Sequence, residues 1–219
     1  MKYRLVVFDL DGTLVNSIFD LANAVNRGLK KAGLPVHDTE SYKKFVGNGR
    51  EKLIDRAMGE SHKDEKLRAI VKETFDSYYA EHCNDNTISY EGCSELLKEL
   101  KNLGIKTAVL SNKPDEFVEK ILNKVYPSHK FDLTWGKKSE FQPKPNPDSL
   151  NVMLKVLDVK KSECLFIGDS NVDIYTAQNA GVDILGVEWG VRSRKELIDA
   201  GAMYVASFAK EILEYINET

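Results

Sequence analysis

Cysteine is scarce in this sequence: three residues, Cys83, Cys93 and Cys164, among 219. An odd number with no C-x-x-C pair excludes a disulfide scaffold and reads as reduced thiols, which predicts a cytoplasmic protein. The four histidines are scattered and give no zinc-ligand spacing. No apolar run approaches the roughly 18 residues of a membrane helix, so no membrane partner is expected. Neither sign of charge dominates: 31 Lys and Arg stand against 34 Asp and Glu, a net −3, which leaves no basic footprint for nucleic acid. A strand-like run from Leu5 follows at once on the short start Met-Lys-Tyr-Arg. A cleavable leader would remove that strand, so secretion is not expected. What remains is a chain of ordinary hydrophobic (42%) and charged (30%) content, long enough for one large domain or two small ones.

The informative stretch is Leu5-Val6-Val7-Phe8-Asp9-Leu10-Asp11-Gly12-Thr13. An unbroken apolar run rich in β-branched and aromatic residues predicts a strand buried on both faces, as in a parallel sheet. It ends in two carboxylates and a glycine that permits a tight turn. Like charges so close raise each other's pKa unless a cation or donors compensate, and open parallel sheets bind ligands beyond the carboxyl ends of their strands. Asp9 and Asp11 therefore sit where chemistry is expected. A calcium loop also opens D-x-D, but it requires Gly at its sixth position and Glu at its twelfth; those positions hold Leu14 and Asp20.

From Asn16 to about His82 the apolar spacing is helical, with Ile18, Leu21, Val25 and Leu29 first, then Tyr42, Phe45 and Val46, then Leu53, Ile54 and Ala57, then Leu67 to Tyr78. No strand is expected there. This predicts an all-helical module, residues 16–83, inserted between residues 1–15 and 84–219, with Asn84 to Ser89 as a return linker. Strands and helices alternate after Tyr90. Strands are expected at 105–110, 131–135, 164–167, 183–187 and 203–206, and helices at 94–103, 114–125, 147–157, 171–180, 194–199 and 208–216. Prolines 114 and 147 are expected at first helical positions, with Asn146 capping. Strand–helix alternation implies βαβ crossovers and an α/β fold, a Rossmann-like parallel sheet.

Three later segments lead polar clusters off this sheet. Ser111-Asn112-Lys113 follows a strand, where a hydroxyl, an amide and backbone N–H groups at a helix start form a phosphate cradle or a helix cap. Lys144 lies in Gln142-Pro143-Lys144-Pro145-Asn146-Pro147, whose prolines hold it at a fixed place. It is preferred as the site's point charge over Lys113, Lys137 and Lys138. Asp169 and Asp173 flank a strand-to-helix junction. Asp9, Asp11, Asp169 and Asp173 together call for a hard divalent ion, and oxygen-only ligands point to Mg²⁺.

The ordered set D-x-D-G-T, Ser-Asn, Lys and G-D-x-x-x-D resembles the four motifs of the haloacid dehalogenase superfamily over nearly the whole chain. That resemblance implies a nucleophile at Asp9 and a general acid/base at Asp11. It also implies a metal held by the Asp9 and Asp169 side chains and the Asp11 carbonyl, with Asp173 orienting the metal shell. Lys144 then acts with a phosphate-binding set of Ser111, Asn112 and Thr13, beneath a helical cap. The second Asp favours phosphoryl transfer over carbon–halogen cleavage. Tyr90-Glu91-Gly92-Cys93, Ser111-Asn112-Lys113-Pro114 and Gly186-Val187-Glu188-Trp189-Gly190 look like segments of phosphoglycolate phosphatases, as does Phe45-Val46-Gly47-Asn48-Gly49. Departures are Asn16 for Asp, Ser111 for Thr and Glu91 for Pro. The resemblance implies a small phosphate ester as partner, 2-phosphoglycolate first, with Asn48, Gly49 and Arg50 reading its non-reacting end, in a monomer or homodimer. The same residues would serve a β-phosphoglucomutase-like phosphomutase, a pyrophosphatase or a sugar-phosphate phosphatase. A non-enzymatic binding protein would show a damaged motif, and none is damaged.

Overall fold

The tetrad Leu5–Phe8 is strand β1, and every one of its residues is buried. In the computed structural model, which describes residues 2–219, the chain continues as Val15–Asn16 (β2), Ile18–Lys31 (α1), Gly49–Met58 (α2), Glu65–His82 (α3) and Ile88–Ser89 (β3). Then come Cys93–Asn102 (α4), Lys106–Pro114 (β4), Asp115–Val125 (α5), Leu133–Lys137 (β5), Asp148–Leu157 (α6) and Cys164–Gly168 (β6). Asn171–Ala180 (α7), Asp183–Val187 (β7), Arg194–Asp199 (α8), Val205–Ala206 (β8) and Ala209–Glu218 (α9) complete it. Six strands form one sheet in the order β5-β4-β1-β6-β7-β8, paired in parallel throughout. The α/β expectation is borne out.

A central parallel strand needs cover on both faces. Leu5 and Val7 pack on one side against Leu150, Met153 and Leu154 of α6 and Ala177 of α7. Val6 and Phe8 face the other way, into the layer built by α4, α5 and α9. Among the described residues no helix is long and apolar enough to cross a membrane. The three cysteines are buried and unpaired.

Between β2 and β3 every element is helical, and this insert joins the rest of the chain through more than a bare linker. β2 and β3 pair antiparallel, Val15 with Ser89 and Asn16 with Ile88, so a two-rung ladder closes the base of the insert. The buried carboxylate of Asp20 fastens the returning strand. It accepts hydrogen bonds from the Asn86 backbone N–H at 3.0 Å, the Asn86 amide at 2.8 Å and the Thr87 hydroxyl at 2.7 Å. Short 3₁₀ turns, Glu40–Lys44 and Gly59–Lys63, join α1 to α2 and α2 to α3.

Other boundaries moved for local reasons. β4 runs on past Leu110 to Pro114, with its register against β5 broken between those residues, so Ser111-Asn112-Lys113 lies on an irregular strand end and not at a helix start. Pro114 has extended backbone (ψ 136°) and precedes α5. Pro147 likewise precedes α6, and the Asn146 side-chain Oδ1 accepts from the Asp148 N–H at 2.8 Å. The strand expected at 131–135 is shifted to Leu133–Lys137, and that at 203–206 is reduced to Val205–Ala206, leaving Met203 exposed.

α1 and α3 approach most closely at Gly28, where an added Cβ would lie 2.6 Å from the Val71 carbonyl oxygen and 3.0 Å from its Cα. A backbone atom cannot rotate away. Alanine at a helix interior gains about 1 kcal/mol of propensity, but forcing two helices apart costs about 1–3 kcal/mol. Gly28→Ala is therefore expected to lower the thermal midpoint by a few degrees. Equal or higher stability in a thermal melt would contradict the close approach.

Candidate active site

Parallel pairing brings the carboxyl ends of β1, β4 and β6 to one edge of the sheet. Asp9 leaves β1 with its N–H still bonded to the Ile167 carbonyl at 2.9 Å. Asp169 follows β6, and Asp173 stands in the first turn of α7, where its carboxylate accepts from the Ser170 N–H at 3.1 Å and the Ser170 hydroxyl at 2.6 Å. An acidic side chain suits that helix start. Gly12 turns the chain at φ +93°; a Cβ there would fall 2.2 Å from an Asp169 carboxylate oxygen, so only glycine admits both the turn and the approach.

Lys144 is the centre of the site. Its Nζ lies 2.9 Å from Asp9 and 2.7 Å from Asp173, with a side chain only 2% exposed. The loop is held by Asn112: the Lys144 N–H donates to the Asn112 Oδ1 at 2.8 Å, and the Asn112 amide donates back to the Lys144 carbonyl at 3.1 Å. Burial pushes Asp9 up to about 7, opposed by Lys144 and reinforced by Asp173 and Asp11. Burial, then the charges of Asp173 and Asp9, also holds Asp169 well above the ordinary carboxylate value. Burial works against the Lys144 ammonium, but Asp173 and Asp9 outweigh it and keep it charged.

Asp11 is half-buried and doubly engaged. Lys113 Nζ donates to its two oxygens at 3.0 and 2.9 Å, and the Ser17 hydroxyl donates to Oδ1. Asp9, Asp11, Ser111, Asn112 and Lys113 line one cavity, whose opposite wall comes from the insert through Val46, Gly49, Leu53, Phe75 and Tyr79.

The expected residues divide on this geometry. Asp9, Asp169, Asp173 and Lys144 converge, and Ser111 lies at the cavity beside them. Thr13 turns its hydroxyl to Asp169 at 3.1 Å, and Asn112 spends its amide on Lys144 and, at 3.4 Å, on the Gly47 carbonyl, so both brace the site instead of facing a phosphate. Gly49 lines the cavity close to Asn112, where a Cβ would lie 3.2 Å from the Asn112 carbonyl. Asn48 accepts from Arg56 at 2.6 Å on the protein surface. Arg50 reaches the cavity wall, but its two terminal nitrogens are taken by Asp76 at 2.7 Å and Glu51 at 3.1 Å.

Lys113 ranked below Lys144 in the sequence, yet both are buried, on different aspartates, and one residue escaped the sequence reading altogether. Arg192, after β7, donates to the Lys43 and Val46 carbonyls at 2.7 and 3.2 Å, tying the core to the insert, and the N–H of neighbouring Val191 donates to Asp169 at 2.8 Å. Nothing in the sequence marks an arginine for such a role.

The carboxylates of Asp9, Asp169 and Asp173 each place an oxygen within 4.8 Å of the others, all buried. Donors of oxygen alone, with one lysine against three carboxylates, fit a hard divalent cation.

Comparison with known proteins agrees. Residues 6–187 match the family described as haloacid dehalogenase-like hydrolase. The phosphoglycolate phosphatase of Vibrio parahaemolyticus is 35% identical over 97% of this chain and 96% of its own length. That of Pseudomonas savastanoi pv. phaseolicola is 34% identical over 96% of this chain and 78% of its own. A solved structure from Lactobacillus delbrueckii subsp. bulgaricus, 34% identical, superposes with a TM-score of 0.93 over 99% of both chains. With its motifs gathered at one sheet edge and its whole length matched, this chain belongs to the haloacid dehalogenase-like hydrolases.

Proposed function

We propose that this chain is a Mg²⁺-dependent phosphatase that hydrolyses 2-phosphoglycolate through an aspartyl phosphate on Asp9. The observation that carries the chemistry is Asp9 itself: a carboxylate at a buried strand end, neutralised by Lys144 at 2.9 Å and opening on a cavity shared with Asp11 and Ser111. The names of the relatives support the substrate.

Asp9 attacks phosphorus while Asp11 gives a proton to the departing oxygen. Asp11 then takes a proton from water, which attacks the aspartyl phosphate, releases phosphate and restores Asp9. The Ser111 hydroxyl and the Lys144 ammonium oppose the phosphoryl charge. Asn112 acts one step back, fixing the Lys144 peptide, and Thr13 fixes Asp169. A divalent cation held by Asp9 and Asp169, with Asp173 and the Asp11 carbonyl beside them, would supply further positive charge there. In this reading residues 16–83 are a cap whose closure excludes water. The β2–β3 ladder supports that boundary, and the Arg192 bonds to the Lys43 and Val46 carbonyls support a closed position.

Asp9→Asn is expected to lower kcat by at least about 10³-fold, as loss of a nucleophile does, in a chromogenic phosphatase assay; activity within tenfold of wild type would remove Asp9 from that role. The fold should survive. Asp9 titrates at about 7 in the folded chain against 3.8 ordinarily, so its ionisation opposes folding, a loss that accrues as pH rises between those values. In EDTA at pH 7.5 the variant should melt no lower than wild type.

EDTA should silence the enzyme and Mg²⁺ restore it, while Ca²⁺ inhibits, because its longer, looser coordination misaligns in-line attack. Undiminished turnover after dialysis against EDTA would refute metal dependence.

A further inference from the structure

Lys113 and Arg50 are cations that line the cavity in front of Asp9. Arg50's fork is occupied by Asp76 and Glu51 on the insert itself. Lys113 is different. Its ammonium is buried, with a side chain 3% exposed, and among the described residues its only carboxylate partner is Asp11, a residue on the reacting side of the cavity. A lysine is a point charge on a flexible stem and exchanges one carboxylate for another without rebuilding a bidentate geometry.

Beside it stands an unanswered donor. The Tyr79 hydroxyl is buried and lines the same cavity; the Lys113 ammonium beside it can donate to its oxygen but cannot accept, so its O–H has no acceptor among the described residues. Its ring is fixed, stacked on Phe75 at 5.0 Å and met edge-on by Phe117 at 5.2 Å, and the Lys113 ammonium lies 5.1 Å from its centroid. A buried hydroxyl left unpaired is costly, and in native proteins each such group calls for an explanation. An acceptor on a bound ligand is one. The surrounding wall of Leu21, Val46, Leu53 and Phe75 is apolar, which strengthens a charge contact made inside it.

We propose that Lys113 and Tyr79 form the seat for the carboxylate at the non-reacting end of the substrate, since Arg50 has only its Nε left beside the two terminal nitrogens that Asp76 and Glu51 hold. The inference rests on the reading of the substrate as 2-phosphoglycolate. Lys113 leaves Asp11 for the incoming carboxylate, and Tyr79 donates to the same group. Because Lys113 starts on Asp11, the seat adjoins the reacting centre. It selects a short anionic leaving group, in which the carboxylate and the phosphate ester are separated by one carbon. The exchange also frees Asp11 Oδ2, the oxygen that Ser17 does not hold, for the leaving oxygen, so the correct substrate uncovers the group that must act on it. A neutral substrate leaves Lys113 where it is.

The experiment compares kcat/KM for 2-phosphoglycolate with that for 2-hydroxyethyl phosphate, an analogue neutral at the non-reacting end, in wild type, Tyr79→Phe and Lys113→Met, with Mg²⁺ present. Wild type should favour the carboxylate. That preference should fall about tenfold in Tyr79→Phe, which removes one oxygen, and about 10²-fold in Lys113→Met, which removes the charge. Lys113→Arg should recover part of it. If Lys113→Met does not fold, Tyr79→Phe, nearly isosteric, still decides the matter. A preference unchanged in Tyr79→Phe and Lys113→Met overturns the seat and leaves 2-phosphoglycolate standing. A wild type that treats the two esters alike overturns both.

Discussion

One ammonium, that of Lys144, sits between the carboxylates of Asp9 and Asp173 at the end of a fully buried strand. Three carboxylates drawn this close would repel one another and push towards protonation, and a buried charge without a partner is among the largest penalties a fold can carry. The surrounding structure reads as the means of keeping that lysine in place. The amide of Asn112 grips its peptide from both sides, Ser170 turns Asp173 toward it, and Gly12 lets Asp169 close in from the far side.

The parts of this site that were legible in the sequence share a physical origin. Asp9 and Asp169 are polar residues at the ends of apolar strands, and Lys144 is pinned by neighbouring prolines; each signal is local. The parts that were not legible depend on competition between distant residues. Arg50 loses its fork to Asp76, 26 positions away on α3, and Thr13 loses its hydroxyl to Asp169, 156 positions away. Asn112 faces Lys144 because β4 continues beyond its apolar run to Pro114, an extension that the polar Ser111 and Asn112 conceal. The β2–β3 ladder is two rungs long, too short to express an alternating pattern, and the clasp at Asp20 looks in sequence like any acidic residue in a first helical turn.

The cations near the cavity are allotted differently. Lys144 serves the carboxylate cluster, Arg50 braces α2 against α3 through Asp76, and Arg192 links the core loop after β7 to carbonyls of the insert. Positive charge around an anionic substrate is therefore not a general field. Each group is held by a carboxylate or carbonyl of its own, and only a substrate that out-competes that partner can recruit it.

The strand order has a consequence for how the molecule comes into being. β1 is made before both of its edge partners, β4 and β6, which begin at residues 106 and 164. At about 5–20 residues per second the tetrad Leu5–Phe8 waits for roughly 8–30 seconds before its second edge can be covered. Through that interval the most apolar stretch around the nucleophile is an open strand, the form most apt to pair with another chain. The insert, whose contacts are local and helical, has the means to fold well before then. The end of the sheet that carries Asp9 thus closes only after β6 is made, long after Asp9 itself.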